Sequence, residues 1–140
     1  MIGSINHLTL AVRDLDRAFS FYVDLLGCRP LARWDSGAYL LAGHSWLCLS
    51  LDPDTRAPAP PDYTHVAFDV APDVLTALAA TLTEAGVQRW RENRSEGESL
   101  YILDPDGHRL ELHHGDWRSR LRACRNQSYP GMVFFADDRD

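Results

Sequence analysis

One pattern runs through this chain twice. An alternating apolar segment, an amphipathic segment closed by glycine, and three further alternating segments occupy residues 5–51. The same order returns over residues 64–113. His7 answers to His65 and Gly43 to Gly107, a period of about 58 to 64 residues. Each repeat reads as a βαβββ unit with a single helix, and one helix covers one face of a sheet. The other face of each sheet is left to curve round a cavity. The expected class is therefore α+β, with tandem βαβββ modules forming a cupped mixed sheet.

Within the first repeat, residues 5–12 predict a strand. Leu8, Leu10 and Val12 share one face; His7, Thr9 and Ala11 share the other. Residues 14–26 predict a helix that Asp14 or Asp16 can cap. Leu15, Ala18, Phe19, Tyr22, Leu25 and Leu26 recur at helical spacing, and Gly27 supplies the stop. Strands are expected at 31–34, 38–42 and 46–51. Residues 53–61, rich in proline and alanine, read as a linker. In the second repeat, strands are expected at 64–70, 88–90, 99–103 and 109–113. A helix over 73–85 carries Leu75, Leu78, Ala79 and Leu82 and stops at Gly86. The organisation is one domain: a first module over about 4–52, the linker, a second module over about 62–115, and a C-terminal helix and tail over 116–140.

The second repeat ends in the most informative stretch. Asp104-Pro105-Asp106-Gly107 has proline and glycine where a type I turn prefers them. The strand after it alternates, with Leu110 and Leu112 facing one way and Arg109, Glu111 and His113 the other. His7 and His65 each lie opposite an apolar face. A lone strand histidine is ordinarily structural or at the surface. Two at matched repeat positions, with Glu111 also on a polar face, point instead to a metal site with open coordination positions. The set suits Mn²⁺, Fe²⁺, Co²⁺, Ni²⁺ or Zn²⁺ and does not choose among them. The first-repeat counterpart of Glu111 falls near Leu47 and Cys48, where no oxygen ligand stands.

The 140 residues are 45% hydrophobic, enough for one real core. No apolar run reaches the roughly 18 residues of a membrane span, and no signal-peptide pattern opens the chain, so a cytoplasmic protein is expected, with no membrane partner. Cys28, Cys48 and Cys124 are scattered and read as free thiols. A net charge of −6 argues against a nucleic-acid partner. Arg118, Arg120, Arg122 and Arg125 are the counter-signal, read as a solvated helix face or as one arginine turned into a pocket.

The paired repeats with His7, His65 and Glu111 resemble the vicinal oxygen chelate superfamily (glyoxalase, bleomycin resistance and dioxygenase proteins). Within it, the chain is similar to the bacterial fosfomycin resistance glutathione transferases. The stretches that carry this are residues 6–12, 46–50, 62–65, 93–97, 103–111 and 118–121. The resemblance implies a Mn²⁺-dependent and K⁺-dependent enzyme, other divalent first-row metals including Zn²⁺ being possible, that adds the thiol of glutathione to the epoxide of fosfomycin. It implies a module-exchanged homodimer in which His7 of one chain joins His65 and Glu111 of the other. The K⁺ site would use Asn93, Ser95, Glu96, Gly97 and Ser99. The phosphonate would be held by Thr9, Arg91, Ser95, Ser99, Tyr101 and Arg120, with Trp46 and Tyr63 lining the pocket. Thr9, Arg91, Arg120 and Tyr39 are the implied catalytic residues, Tyr39 assisting the thiol.

The physics fits the resemblance. Fosfomycin is a compact dianion, and metal, K⁺, Arg91 and Arg120 would offset its charge. Three positions depart from the family pattern. Arg91 stands where lysine is usual, so a planar fork replaces a mobile point charge. Ser36 stands where a longer polar residue is expected near the thiol channel. His44 lies near the position of a glutamate that some relatives use to hydrolyse the epoxide, and it reads either as a base or as a surface turn residue. Taken singly, Ser95, Ser99, Asn93, Gly97, Tyr63 and Tyr101 also have plain structural readings. Three rival functions follow: an epoxide hydrolase on the same substrate, an Fe(II) extradiol dioxygenase, and a non-enzymatic antibiotic-binding protein of the same fold.

Overall fold

The computed structural model describes residues 1–56, 62–94 and 97–135. Its elements run β1 (His7–Val12), α1 (Leu15–Ser20), β2 (Arg29–Trp34), β3 (Gly37–Ala42), β4 (Ser45–Leu51), β5 (Val66–Asp69), α2 (Pro72–Glu84), β6 (Arg89–Arg91), β7 (Glu98–Leu103), β8 (Arg109–His114) and α3 (Trp117–Asn126). They form two four-stranded sheets of identical plan, β1-β4-β3-β2 and β5-β8-β7-β6. In each, the first strand pairs parallel to the last, and the other pairings are antiparallel. The duplication expected from the sequence is thus an architectural one. Of the segment read as linker, residues 57–61 lie outside the described residues.

The alternation of each strand decides which face is buried. Leu10, Val12, Ala38, Leu40, Leu47 and Leu49 point one way and are at most 6% exposed. Leu100, Ile102, Leu110 and Leu112 do the same in the second sheet, at most 7% exposed. Burying a side chain of this size contributes roughly 1.5–3 kcal/mol. Leu15, Ala18, Phe21 and Tyr22 cover the first sheet; Leu75 and Leu82 belong to the same core from α2.

Helix ends follow local chemistry. Of the two candidate caps, Asp14 is the one used: its carboxylate accepts from Arg17 N. Gly27 and Gly86 end their helices at φ of 77° and 74°. α2 begins one residue before the expected start, because Pro72 fits the first turn, where no N–H is needed. The first helix differs more. After Ser20 it widens into a π-helical turn over Phe21–Leu25, with Leu26 N donating to Phe21 O. The wider turn brings the consecutive pair Phe21 and Tyr22 into the core together.

The Asp104–Gly107 turn also ties the two halves together. Gly107 N donates to Asp104 O, and Gly107 sits at φ 83°. Asp104 Oδ1 accepts from the N–H groups of Asp106 and His108, while its Oδ2 accepts from Tyr22 Oη at 2.7 Å. Arg13 pairs with Asp106, and His108 Nε2 donates to Ala11 O at 2.8 Å. Burial pushes the Asp104 carboxyl up, against the lowering effect of the Tyr22 hydroxyl, His108 and the turn N–H groups. The native state therefore holds this proton more tightly than the unfolded chain. Its contribution to stability falls as pH rises from the ordinary aspartate value through the raised one.

Two outcomes follow. Tyr22→Phe leaves the buried Asp104 Oδ2 without a donor and lowers unfolding free energy by about 1–3 kcal/mol in urea titration. Asp104→Asn removes the titrating group, so the fall in the unfolding midpoint above the ordinary aspartate pKa flattens.

Candidate active site

The polar face of the second sheet gathers one half of a site. His65 stands immediately before β5, Arg91 ends β6, Ser99 and Tyr101 lie on β7, and Glu111 on β8. Strand register puts Tyr101 opposite both Arg91 and Glu111. Glu111 is 8% exposed, a carboxylate largely removed from water. Its Oε1 accepts from Ser99 Oγ at 2.6 Å, and its Oε2 faces His65 Nε2 at 3.0 Å. Desolvation pushes this carboxyl up. The Ser99 and His65 hydrogen bonds, the nearby His113 imidazole and the Tyr101 hydroxyl outweigh it and hold the group below its ordinary value.

An imidazole nitrogen and a carboxylate oxygen facing one another need positive charge between them. A proton supplies it, and so does a divalent cation. His65 Nδ1 donates to Tyr63 O at 2.7 Å, which directs Nε2 toward the carboxylate. The repeat-related His7 is held in the same manner, with Nδ1 against Asn6 Oδ1 at 2.8 Å. Both rings thus offer the same nitrogen outward, and the donor set suits a metal of the first transition row.

His7 does not share its place with the other two. It lies on the first sheet, its ring 4.6 Å from Trp46, with Tyr39 beyond at 5.2 Å from Trp46 and Trp34 at 4.7 Å from Tyr39. Thr9 follows on the same face, opposite Cys48. Trp46 Nε1 is buried with no hydrogen-bond partner among the described residues. Among the described residues, no group of three histidine, cysteine or acidic side chains converges within one chain. Arg120 lies on α3, which the Asp116–Ser119 capping box opens.

Around Arg91 a cavity of about 510 Å³ is bordered by Arg89, Glu92, Asn93, Ser99 and Tyr101. Asn93 Nδ2 donates to Gly97 O at 2.7 Å, linking two of the residues expected to bind K⁺. Ser95 and Glu96, expected in the same K⁺ site, lie outside the described residues. Ser99 faces Glu111 instead of standing as a simple loop hydroxyl. His44 is exposed in the β3–β4 turn, and Ser36 accepts from Trp34 Nε1 at 3.1 Å. All three cysteines are free and buried.

His113 is the side chain whose part the sequence left unassigned. Its Nδ1 donates to Ser99 Oγ at 2.6 Å and approaches Glu111 Oε1 at 3.4 Å. Its ring also abuts Gly97 and Gly115, where a Cβ would come within about 3 Å of it. The alternation that put it beside Glu111 was the available signal.

Comparison with known proteins gives a consistent picture. The model of the Glyoxalase/Bleomycin resistance protein/Dioxygenase superfamily matches residues 4–112. The chain is 52% identical to the glutathione transferase FosA of Serratia marcescens, over 99% of each chain. It is 38% identical to the metallothiol transferase FosB of Shouchella clausii, over 100% of this chain and 99% of that one. Among solved structures it is similar to the fosfomycin resistance protein FosX of Listeria monocytogenes, with TM-score 0.78, 27% identity, and coverage of 88% and 99%. A FosX mutant complexed with Mn(II) and 1S,2S-dihydroxypropylphosphonic acid matches with TM-score 0.76 at 25% identity, covering 87% and 99%.

Gly97 tests how tightly this site is built. At φ 82°, an added Cβ would stand 2.7 Å from His114 O and 2.9 Å from His113 Cε1. Gly97→Ala is expected to cost about 1–3 kcal/mol, read as a lower urea midpoint. An unchanged midpoint would mean that the turn re-forms clear of His113.

Proposed function

Because the chain belongs to the Glyoxalase/Bleomycin resistance protein/Dioxygenase superfamily, and within it to the FosA-type glutathione transferases, we propose that it adds glutathione to the epoxide of fosfomycin and so confers resistance to that antibiotic. The observation that carries this reading is His65 Nε2 facing the buried Glu111, with Arg91 and Tyr101 on the same sheet face. In this reading a pair of metal donors shares a sheet face with a cation able to bind a phosphonate.

In this reading His65 and Glu111 hold a divalent cation, Mn²⁺ in the first instance, with His7 of the partner subunit completing the set. When bound, the cation supplies Lewis acidity at the epoxide oxygen. Arg91 and Arg120 offset the phosphonate dianion, and Ser95, Ser99, Tyr101 and Thr9 fix its oxygens. Trp46 and Tyr63 bound the pocket. With the phosphonate held, the epoxide carbon is presented to the thiol in line. The sulfur–carbon bond forms as the carbon–oxygen bond breaks, and the thiol proton ends on the product hydroxyl. Tyr39 orients the incoming thiol. Asn93, Ser95, Glu96, Gly97 and Ser99 form a K⁺ site whose charge adds to that of Arg91. The separation of His7 from His65 and Glu111 within one chain supports a module-exchanged homodimer. Three free thiols fit a cytoplasmic, reducing location.

A second reading, addition of water to the same epoxide, is favoured by the likeness to FosX, whose complex contains a dihydroxypropylphosphonic acid. One experiment separates them. The metal-stripped protein is incubated with fosfomycin, Mn²⁺ and K⁺, with and without glutathione, and product is followed by ³¹P NMR. A thiol adduct that needs both metal and glutathione is expected, and His65→Ala abolishes it. A diol formed without thiol makes the protein a hydrolase. No product in either tube removes fosfomycin as substrate.

The exchanged dimer has its own test. His7→Ala and Glu111→Ala chains are each inactive alone. Purified mixed dimers are expected to recover about half the wild-type rate, because one of their two sites is then intact. No recovery would place all three ligands in one chain.

A further inference from the structure

Arg91 has surroundings that its charge alone does not explain. Its guanidinium carbon lies 4.6 Å from the centre of the Tyr63 ring and 5.6 Å from that of Tyr101. The two walls differ. Tyr101 is 2% exposed, pairs across the sheet with Arg91 itself, and meets Trp90 edge-on at 5.2 Å. Tyr63 is half exposed, yet its segment is pinned. Arg109 donates to Asp62 O, Asp62 Oδ1 accepts from Thr64 N at 2.9 Å, and Tyr63 O accepts from His65 Nδ1. The Tyr63 ring also packs edge-on against His65 at 4.8 Å and Trp90 at 5.9 Å.

A guanidinium stacked parallel to aromatic faces keeps its N–H edge free, because the donors lie in its plane. Stacking therefore removes rotamer freedom without consuming hydrogen-bonding capacity. Free in solvent, an arginine side chain gives up rotamer entropy when it is immobilised on a ligand. A chain that has already placed the fork does not lose it at the moment of binding.

We propose that Tyr63 is a positioning residue: with Tyr101 it cages the Arg91 guanidinium, aiming its N–H edge at a tetrahedral oxyanion held beside Glu111. The inference rests on the fosfomycin reading for the identity of that oxyanion, but the cage itself does not. It also gives Tyr63 a part distinct from lining the pocket. The ring face matters, and the hydroxyl does not.

The test has two arms. In the full-length protein without ligand, the Arg91 Nε–Hε resonance, assigned with Arg91→Lys, is expected upfield of the ordinary arginine position through ring currents, as are those of Arg33, Arg109, Arg118 and Arg125, which lie over other rings. Tyr63→Phe keeps that displacement and Tyr63→Leu loses most of it. An Arg91 resonance at the ordinary position in the wild type overturns the cage, whatever the substrate. In steady-state kinetics, Tyr63→Leu raises KM for fosfomycin about 3- to 30-fold, more than it lowers kcat, and Tyr63→Phe recovers most of the loss. In an Arg91→Ala background the Tyr63→Leu effect disappears. If it persists undiminished there, Tyr63 contacts substrate directly and the positioning role is wrong. A wild type inert toward fosfomycin sinks the functional reading alone. Inorganic phosphate titrated against the same Arg91 resonance then decides the cage. Phosphate that shifts it in the wild type and more weakly in Tyr63→Leu upholds the role; equal responses overturn it.

Discussion

A carboxylate buried on a sheet face has to be met by positive charge and hydrogen-bond donors, and the polar half of this molecule is arranged round that requirement. Glu111 is nearly out of water, yet its carboxyl is held below the ordinary value. Ser99 and His65 contact its two oxygens directly, and His113 backs Ser99. Leaving such a charge uncompensated in a protein interior would cost several kcal/mol. The strand that carries Glu111 is itself fixed from the opposite face by Leu110 and Leu112 in the core. The same alternation that buries the leucines thus delivers the carboxylate to the cup.

Duplication explains why the candidate donors are spread over two modules. Each repeat contributes a histidine at the start of its first strand, and each histidine is oriented by an oxygen acceptor on Nδ1. The carboxylate occurs only in the second repeat. In the first repeat, the strand that pairs with β1 offers Trp46 and Cys48. One module therefore brings two of the candidate metal donors together with Arg91, and the other brings the third with Thr9 and an aromatic row through Trp46, Tyr39 and Trp34. Within one chain the modules share an apolar core, and polar links at residues 104–108 add to it: Tyr22 to Asp104, Arg13 to Asp106, and His108 to Ala11.

An acidic chain can still bind a dianion if its positive charge is concentrated. Net charge governs long-range behaviour, but within about a Debye length the local groups prevail. Here Arg89 and Arg91 border one cavity with a single carboxylate, Glu92, and the aromatic walls round Arg91 add shape to charge. A planar cation on aromatic faces is a more directional device than an ammonium on a flexible stem.

Much of this was legible in the sequence because it is periodic. Two-residue alternation marked the core leucines and put His7, His65, Glu111 and His113 on the opposite faces, and Gly27 and Gly86 marked the helix ends. These follow from backbone geometry, which is local. What only the tertiary structure decided depends on residues far apart in the chain. Tyr22 meets Asp104 across 82 positions, so neither the π-helical turn that brings Tyr22 inward nor the second function of the Asp104 turn has a local signature. Ser99 serves Glu111 and His113 because β7 and β8 pair in one register, and Tyr63 lies over Arg91 because the 62–65 segment is tied to β8 through Arg109. Spacing names the residues that can carry chemistry; closure of the sheets determines which of them touch.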